Sequence, residues 1–166
     1  RIGSKGVIGF ITNSGFIDKN TADGLRFSLY NEYNELYVFN LRGSVRGRKG
    51  NAAKREGSNV FNILVGVAIT ILVKDGSDEH HLYYKDIGNN LSRRQKFDAI
   101  SNAASVSGID WTELTPDDNN DWLNQRDKNY QTYRPLADEP HNAGVFPKNA
   151  LGIVTNRDAW VYGFNK

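Results

Sequence analysis

Leu36-Tyr37-Val38-Phe39-Asn40-Leu41 and Gly66-Val67-Ala68-Ile69-Thr70-Ile71-Leu72-Val73-Lys74 decide the fold. Both runs are rich in β-branched and aromatic side chains and short enough for strands. Between them lies a polar insert carrying Arg42, Arg46, Arg48, Lys49, Lys54 and Arg55, with no acid before Glu56. Gly43, Gly47, Gly50 and Gly57 punctuate it. A connection this long, with no periodicity of its own, is functional or mobile. Its charge sign points to phosphate. Composition alone leaves two readings even: a loop lying on a nucleic-acid backbone, or a solvated surface loop.

Working outward, Val7-Ile8-Gly9-Phe10-Ile11-Thr12 is a nearly continuous apolar run, as expected of a strand buried on both faces. Asn13-Ser14-Gly15 ends it. Ligands of open α/β sheets sit beyond the carboxyl ends of strands, so a pocket is expected near Asn13, which is otherwise a plain turn former. Asn20 and Thr21 are candidate N-caps, and Ala22, Leu25, Arg26, Leu29 and Tyr33 form a helical stripe over 22–33. Strand, helix, strand predicts a parallel pair with a right-handed crossover. The run 66–73 then continues the sheet or pairs antiparallel at its edge. Phe61, beside the basic insert, can stack on a nucleobase; the residues alone favour a core anchor alongside Val60.

Asp75-Gly76-Ser77-Asp78 is turn chemistry, and His80 to Asp86 reads as a strand, the expected hairpin partner of 66–74. His80 and His81 then face opposite ways, which argues against a shared metal. Ser92 caps a helix with an apolar stripe of Phe97, Ile100 and Ala104, ended by Gly108. Residues 109–129 are acidic and irregular, a solvated face pinned to the body by Trp111 and Trp122. Residues 130–148 read as loop, and 152–162 as strand, turn, strand. There Thr155, Asn156 and Arg157 contact phosphate or a base edge, or form a capped turn.

The 166 residues suit one domain, and 39% hydrophobic with 24% charged residues suits a folded chain. The formal net charge is only +2, so the basic insert is a local feature. The absence of cysteine excludes disulfides, zinc-thiolate sites and cysteine nucleophiles. No run approaches a membrane span of roughly 20 apolar residues, and no signal peptide is visible, so a cytoplasmic setting is expected. The chain has no methionine and opens on Arg1-Ile2-Gly3-Ser4-Lys5-Gly6 directly before a strand, as a segment of something larger would. No P-loop, Gly-x-Gly-x-x-Gly after a strand, Gly-x-Ser-x-Gly or nucleophile-base pair is present, and no catalytic residue is expected.

Residues 6–18 (Gly-Val-Ile-Gly-Phe-Ile-Thr-Asn-Ser-Gly-Phe-Ile-Asp), Thr21-Ala22-Asp23-Gly24-Leu25-Arg26, Tyr37 to Gly43, Lys54 to Phe61 and Gly66-Val67-Ala68-Ile69 carry a likeness, with 83–88 and 152–164 extending it. They resemble the second half of an adenine-N6 DNA methyltransferase domain, of the kind in large single-chain, Type I-like restriction-modification enzymes that also carry helicase and nuclease regions. The resemblance implies an α/β fold: over 1–88 a partial Rossmann-like methyltransferase sheet (strands five to seven with a crossover helix), and over 89–166 a mixed, loop-rich connector towards a target-recognition region. It implies DNA as partner, together with the upstream half and flanking domains of the parent chain, and no membrane. S-adenosylmethionine is implied for the parent. Its glycine-containing motif, and the catalytic Asn/Asp-Pro-Pro-Tyr/Phe motif, are absent from this sequence, whose prolines are Pro116, Pro135, Pro140 and Pro147. Such enzymes hold the extruded adenine between aromatic rings. The resemblance makes Phe61 one of them, puts Asn13 on the same pocket, and lays Arg42, Arg46, Arg48, Lys49, Lys54, Arg55 and Arg157 against DNA. The alternative, from another class, is a non-enzymatic connector between methyltransferase and motor or recognition domains.

Overall fold

The computed structural model describes residues 2–123, 126–127, 129, 132–137 and 144–146. The chain forms two compact units, Arg1–Gln125 and Arg126–Lys166. In the second, Ala137 and Phe146 form a lone bridge, and Arg134 donates to the Gly144 carbonyl at 3.0 Å. The pattern expected over 152–162, with Arg157, lies outside the described residues.

The first unit is an open, mixed five-stranded sheet with flanking helices. In chain order come β1 (Gly6–Asn13), α1 (Gly15–Asp18), α2 (Asp23–Glu32), β2 (Glu35–Arg42), α3 (Gly50–Glu56), β3 (Val67–Lys74), β4 (His81–Asp86), α4 (Arg93–Ala103) and β5 (Thr112–Leu114). The spatial order is β1-β3-β2-β4-β5. β3 runs antiparallel to both β1 and β2, β2 pairs parallel with β4, and β5 closes antiparallel on β4.

This topology corrects two expectations. β1 and β2 point the same way but are not neighbours, because β3 is inserted between them. β4 is no hairpin partner of β3: it crosses to the far side of β2, where Val38 faces Tyr84 and Asn40 faces Asp86. The turn at 75–78 cannot hold a hairpin because Asn34 captures it. Asn34 Oδ1 accepts the Asp75 and Gly76 amides, and Nδ2 donates to the Ser77 and Glu79 carbonyls.

Strand alternation divides the core in two. One face buries Leu36, Val38, Ala68, Leu72 and Leu82 against Ile17, Tyr33 and Trp122. The other buries Phe39, Leu41 and Val67 with Val60, backed by Ile100 and Trp111. Each side chain fully withdrawn from water contributes roughly 1.5–3 kcal/mol. β1 is not doubly buried: it is an edge strand, with Val7 65% and Ile11 53% exposed.

Two helices differ from their sequence patterns. α2 starts at Asp23 after a 3-10 turn over Asn20–Ala22, and no side chain caps it. Of the expected stripe, Arg26 and Tyr33 are buried and Leu29 packs on the core, while Leu25 is exposed, as is Phe27. α4 begins at Ser92 as expected, with a reciprocal Ser92–Gln95 capping box, but it buries Lys96 and leaves Phe97 exposed. The acidic segment is exposed at Asp110, Glu113, Asp117 and Asp118, as expected, and departs from a solvated face at one acid. Asp121 is buried against Arg26, and Trp122 packs edge-on to Phe16 at 5.8 Å. No described helix is long and apolar enough to cross a membrane.

Candidate nucleic-acid interface

β1, β2 and β4 end at the same edge of the sheet, and a cleft of about 520 Å³ opens there. Asn13, Ser14 and Gly15 line it from the end of β1, Asn40 and Arg42 from β2, and Tyr84 and Asp86 from β4. The turn after β1 is tight. Ser14 N–H donates to the Gly66 carbonyl at 2.9 Å, and Asn13 Oδ1 accepts the Gly15 amide at 2.7 Å. A Cβ on Gly66 would fall onto Ser14 Oγ, so with Ser14 in place glycine lets the start of β3 pass under this turn.

β2 ends in a bulge, with Arg42 at φ 56°. An L-residue in this left-handed region carries a cost of about 1–2 kcal/mol, offset here by a network. Asn40 Oδ1 accepts the Arg42 amide at 2.9 Å, and Asn40 Nδ2 donates to Tyr84 Oη at 3.1 Å. Arg42 Nε reaches both Asp86 oxygens, at 2.8 and 2.9 Å, and a terminal nitrogen reaches Asn89 Oδ1 at 2.7 Å. Burial, with Asp86 nearby, pushes the Tyr84 hydroxyl up to about 12, so it stays protonated across the neutral range.

The basic insert is not free of structure, as its lack of periodicity suggested: it contains α3 and is clamped at both feet. Glu56, at the end of α3, is buried. Its carboxylate pairs with Arg48 and accepts the Ser44 amide at 3.0 Å. Lys96 reaches in from α4, fully buried, and donates to the carbonyls of Leu41 at 2.7 Å and Glu56 at 2.9 Å. Burial pulls its pKa below the ordinary lysine value. Asn59 shapes the return. Nδ2 donates to the Gly43 and Val65 carbonyls, and Oδ1 accepts the Phe61 amide at 2.8 Å. The loop turns on this buried amide, putting Val60 in the core and leaving Phe61 53% exposed, next to exposed Ile63 and Leu64.

Three solved structures share this architecture. A nuclease-deletion mutant of the Type ISP restriction-modification enzyme LlaGI, in complex with a DNA substrate mimic, matches with 51% identity over 96% of this chain and a TM-score of 0.81. The chain resembles a segment of the Type ISP restriction-modification enzymes. The ATP-dependent Type ISP enzyme LlaBIII, bound to DNA, matches with 39% identity over 96% of the chain (TM-score 0.87), and the DrdV–DNA complex with 30% over 95% (TM-score 0.78). The chain spans only 15%, 11% and 16% of those three chains, respectively. No family model and no curated protein matches it.

Against this Type ISP likeness, the residues singled out in the sequence fall into distinct places. Asn13, Arg42 and Arg48 line the cleft. Lys54 and Arg55 flank a second, shallower depression with Asn51 and Asn90. Arg46 and Lys49 are exposed on the insert, and Phe61 stands on its returning arm; these three line neither cavity. Among the described residues, Arg46, Lys49, Lys54 and Arg55 make no ion pair, whereas Arg42 and Arg48 do. Tyr84, Asp86 and Glu56 were not legible as cleft residues. Assigning β4 to a hairpin with β3 separated Tyr84 and Asp86 from Asn40 and Arg42 of β2, and Glu56 read only as the end of the basic run. Among the described residues no cluster of histidines and acids is arranged to hold a metal ion.

Proposed function

We propose that this chain is part of a DNA adenine-N6 methyltransferase in a restriction-modification enzyme, supplying DNA-backbone contacts and part of the pocket for an extruded adenine, and inactive alone. The observation that carries the reading is the bare edge of β1. Among the described residues, the eight of β1, without proline, pair along one side only, with apolar side chains exposed. Proteins blunt or cover such an edge, and an upstream half-sheet carrying the catalytic motif would cover it. The cleft lies at the carboxyl ends of β1, β2 and β4, where open α/β sheets take ligands. The DNA bound by LlaBIII and DrdV, and the DNA substrate mimic bound by LlaGI, support the same partner here.

In this reading Asn13 borders the adenine pocket, and Phe61, exposed on the arm that returns to Gly66, stacks on the base. The unpaired cations of the insert lie along phosphate. S-adenosylmethionine belongs to the upstream half. The cleft offers little to hold it: Tyr84 is the only aromatic side chain lining it among the described residues, and of its carboxylates Asp86 and Glu56 are committed to arginines, leaving Asp18. One observation favours the connector reading instead, namely that Arg42 and Arg48 are neutralised internally.

Fluorescence anisotropy with duplex DNA across a salt series separates the two. Changing Arg46, Lys49, Lys54 and Arg55 to Ala should weaken binding and flatten the salt slope by roughly one unit per lost contact. An unchanged slope leaves the connector.

A further inference from the structure

We infer that the first turn of α4 extends the DNA surface: Arg93 and Arg94 join Lys54 and Arg55 in one unpaired cationic patch that takes the phosphate backbone of a duplex. The inference rests on the DNA-binding reading above and assigns that reading's contacts to two residues outside the basic insert.

The patch is assembled by backbone contacts between distant segments. Asn90 N–H donates to the Arg55 carbonyl at 3.1 Å, and Ser58 N–H donates to the Leu91 carbonyl at 2.9 Å. Gly57, at φ 66°, makes this approach possible, since a Cβ there would overlap the Leu91 backbone. The 89–91 turn is thereby fixed against the end of α3, and α4 starts directly after it. Lys96, on the same helix, bonds the Glu56 carbonyl from beneath. The last turn of α3 and the first turn of α4 therefore form one rigid rim, with Asn51, Lys54, Arg55 and Asn90 around a depression of about 500 Å³.

Charge on this rim is free to act outward. Arg93 and Arg94 are exposed, and neither makes an ion pair among the described residues. Arg93 lies over the Phe97 ring, 5.6 Å from its centroid, which restrains the side chain without neutralising it. The acids around the patch are accounted for. Glu56 faces Arg48 and Ser44, Asp86 faces Arg42, and exposed Asp98 sits one turn beyond Arg94 with no ion pair joining them. The Ser92–Gln95 box engages the Ser92 and Gln95 amides, and the site is made of side chains and not of the helix terminus. Asn51 and Asn90 add neutral donors of the kind that position a protein on a phosphate backbone. Arg42 becomes a positioning residue: its terminal nitrogen bonds Asn89 Oδ1 at 2.7 Å, which steadies the turn that presents Asn90.

The test is the Arg93→Ala/Arg94→Ala variant of the chain, titrated with duplex DNA of two unrelated sequences between low and moderate salt. Circular dichroism checks the fold, which alanine favours at these positions. The expected result is weaker binding to both sequences and a salt slope flatter by about two, since each neutralised phosphate contributes about 0.9. An Arg93→Lys/Arg94→Lys variant should keep the slope. An unchanged slope in the alanine variant, with binding lost only when the insert is neutralised, overturns this inference and leaves the DNA reading standing. No salt-dependent binding by the parent chain overturns both. Retained DNA affinity with lost affinity for an acidic polypeptide such as poly-glutamate also overturns the inference and makes the patch a protein-docking surface.

Discussion

Arg26→Ala should destabilise the first unit by about 3–5 kcal/mol, the range for stripping one partner from a buried ion pair. The guanidinium is 1% exposed and donates four hydrogen bonds: to the carbonyls of Phe16 at 3.0 Å, Lys19 at 2.8 Å and Asn120 at 2.6 Å, and to Asp121 Oδ1 at 2.5 Å. Charge-assisted bonds contribute about 1.5–3 kcal/mol apiece when removed singly, but removing the cation also relieves its desolvation, so the total falls well below their sum. Asp121→Ala should cost less, about 1–3 kcal/mol, because the guanidinium keeps its three carbonyls. Arg26→Lys should recover only a minor part, since a single ammonium cannot span acceptors arranged around a planar fork. Urea unfolding followed by circular dichroism gives the free energies, and tryptophan fluorescence reports Trp122, the neighbour of Asp121 in the core. A loss below about 1 kcal/mol for Arg26→Ala, the range of an exposed pair, would refute the reasoning, as would a larger loss for Asp121→Ala than for Arg26→Ala.

Gly66→Ala should destabilise by about 1–3 kcal/mol through overpacking, and Ser14→Ala in the same chain should restore most of the loss, because the clash is with Ser14 Oγ; differential scanning fluorimetry reads both. Phe61→Ala should leave the unfolding free energy within about 0.5 kcal/mol, as for other exposed positions, while weakening DNA binding by on the order of 1–3 kcal/mol of stacking; a variant that unfolds would return the ring to the core. His81 Nδ1 lies 2.6 Å from Glu113 Oε1, with Glu79 near the other ring nitrogen, and hydrogen bonding to Glu113 raises its pKa above the ordinary value. The raised value means that any stability from the charged ring is present below the unfolded-state pKa and is lost as pH rises through the folded one. An NMR titration should show the raised midpoint, and Glu113→Gln should lower it.

The strands β1, β2 and β3 were legible within a residue or two, because dense β-branched runs bounded by glycine and asparagine have few other readings. Ser92 was legible as a cap from its place before an apolar stripe, and the structure adds Gln95 as the other half of a capping box. The pairing of β4 was not, since a four-residue turn signal says nothing about a buried Asn34 that redirects it. Lys96 was missed as an interior residue because hydrophobic periodicity scores any cation as outward, whereas Arg26 fell within the stripe of its helix by spacing. Both are buried because they satisfy carbonyls that no apolar side chain could. At the cleft, Asn13 was found from strand position alone. Tyr84 and Asp86 needed the register across β2 and β4, which only the assembled sheet supplies.

The insertion of β3 between β1 and β2 also bears on how the chain folds. Gly6 pairs with Lys74 and Glu35 with Val73, and β2 has its other partner in β4, so no hydrogen-bonded neighbour of β1 or β2 lies near it in sequence. Every ladder of β1 and β2 waits for residues beyond 66, and the closure entropy of the whole insert is lost before any of these rewards it. Such non-local pairing gives slow folding. Asn59, which ties the insert's return to the Gly43 and Val65 carbonyls, shortens the effective loop as soon as it docks. Building the basic insert and zipping the sheet are therefore one kinetic event, and substitutions at Asn59 should register first in the folding rate.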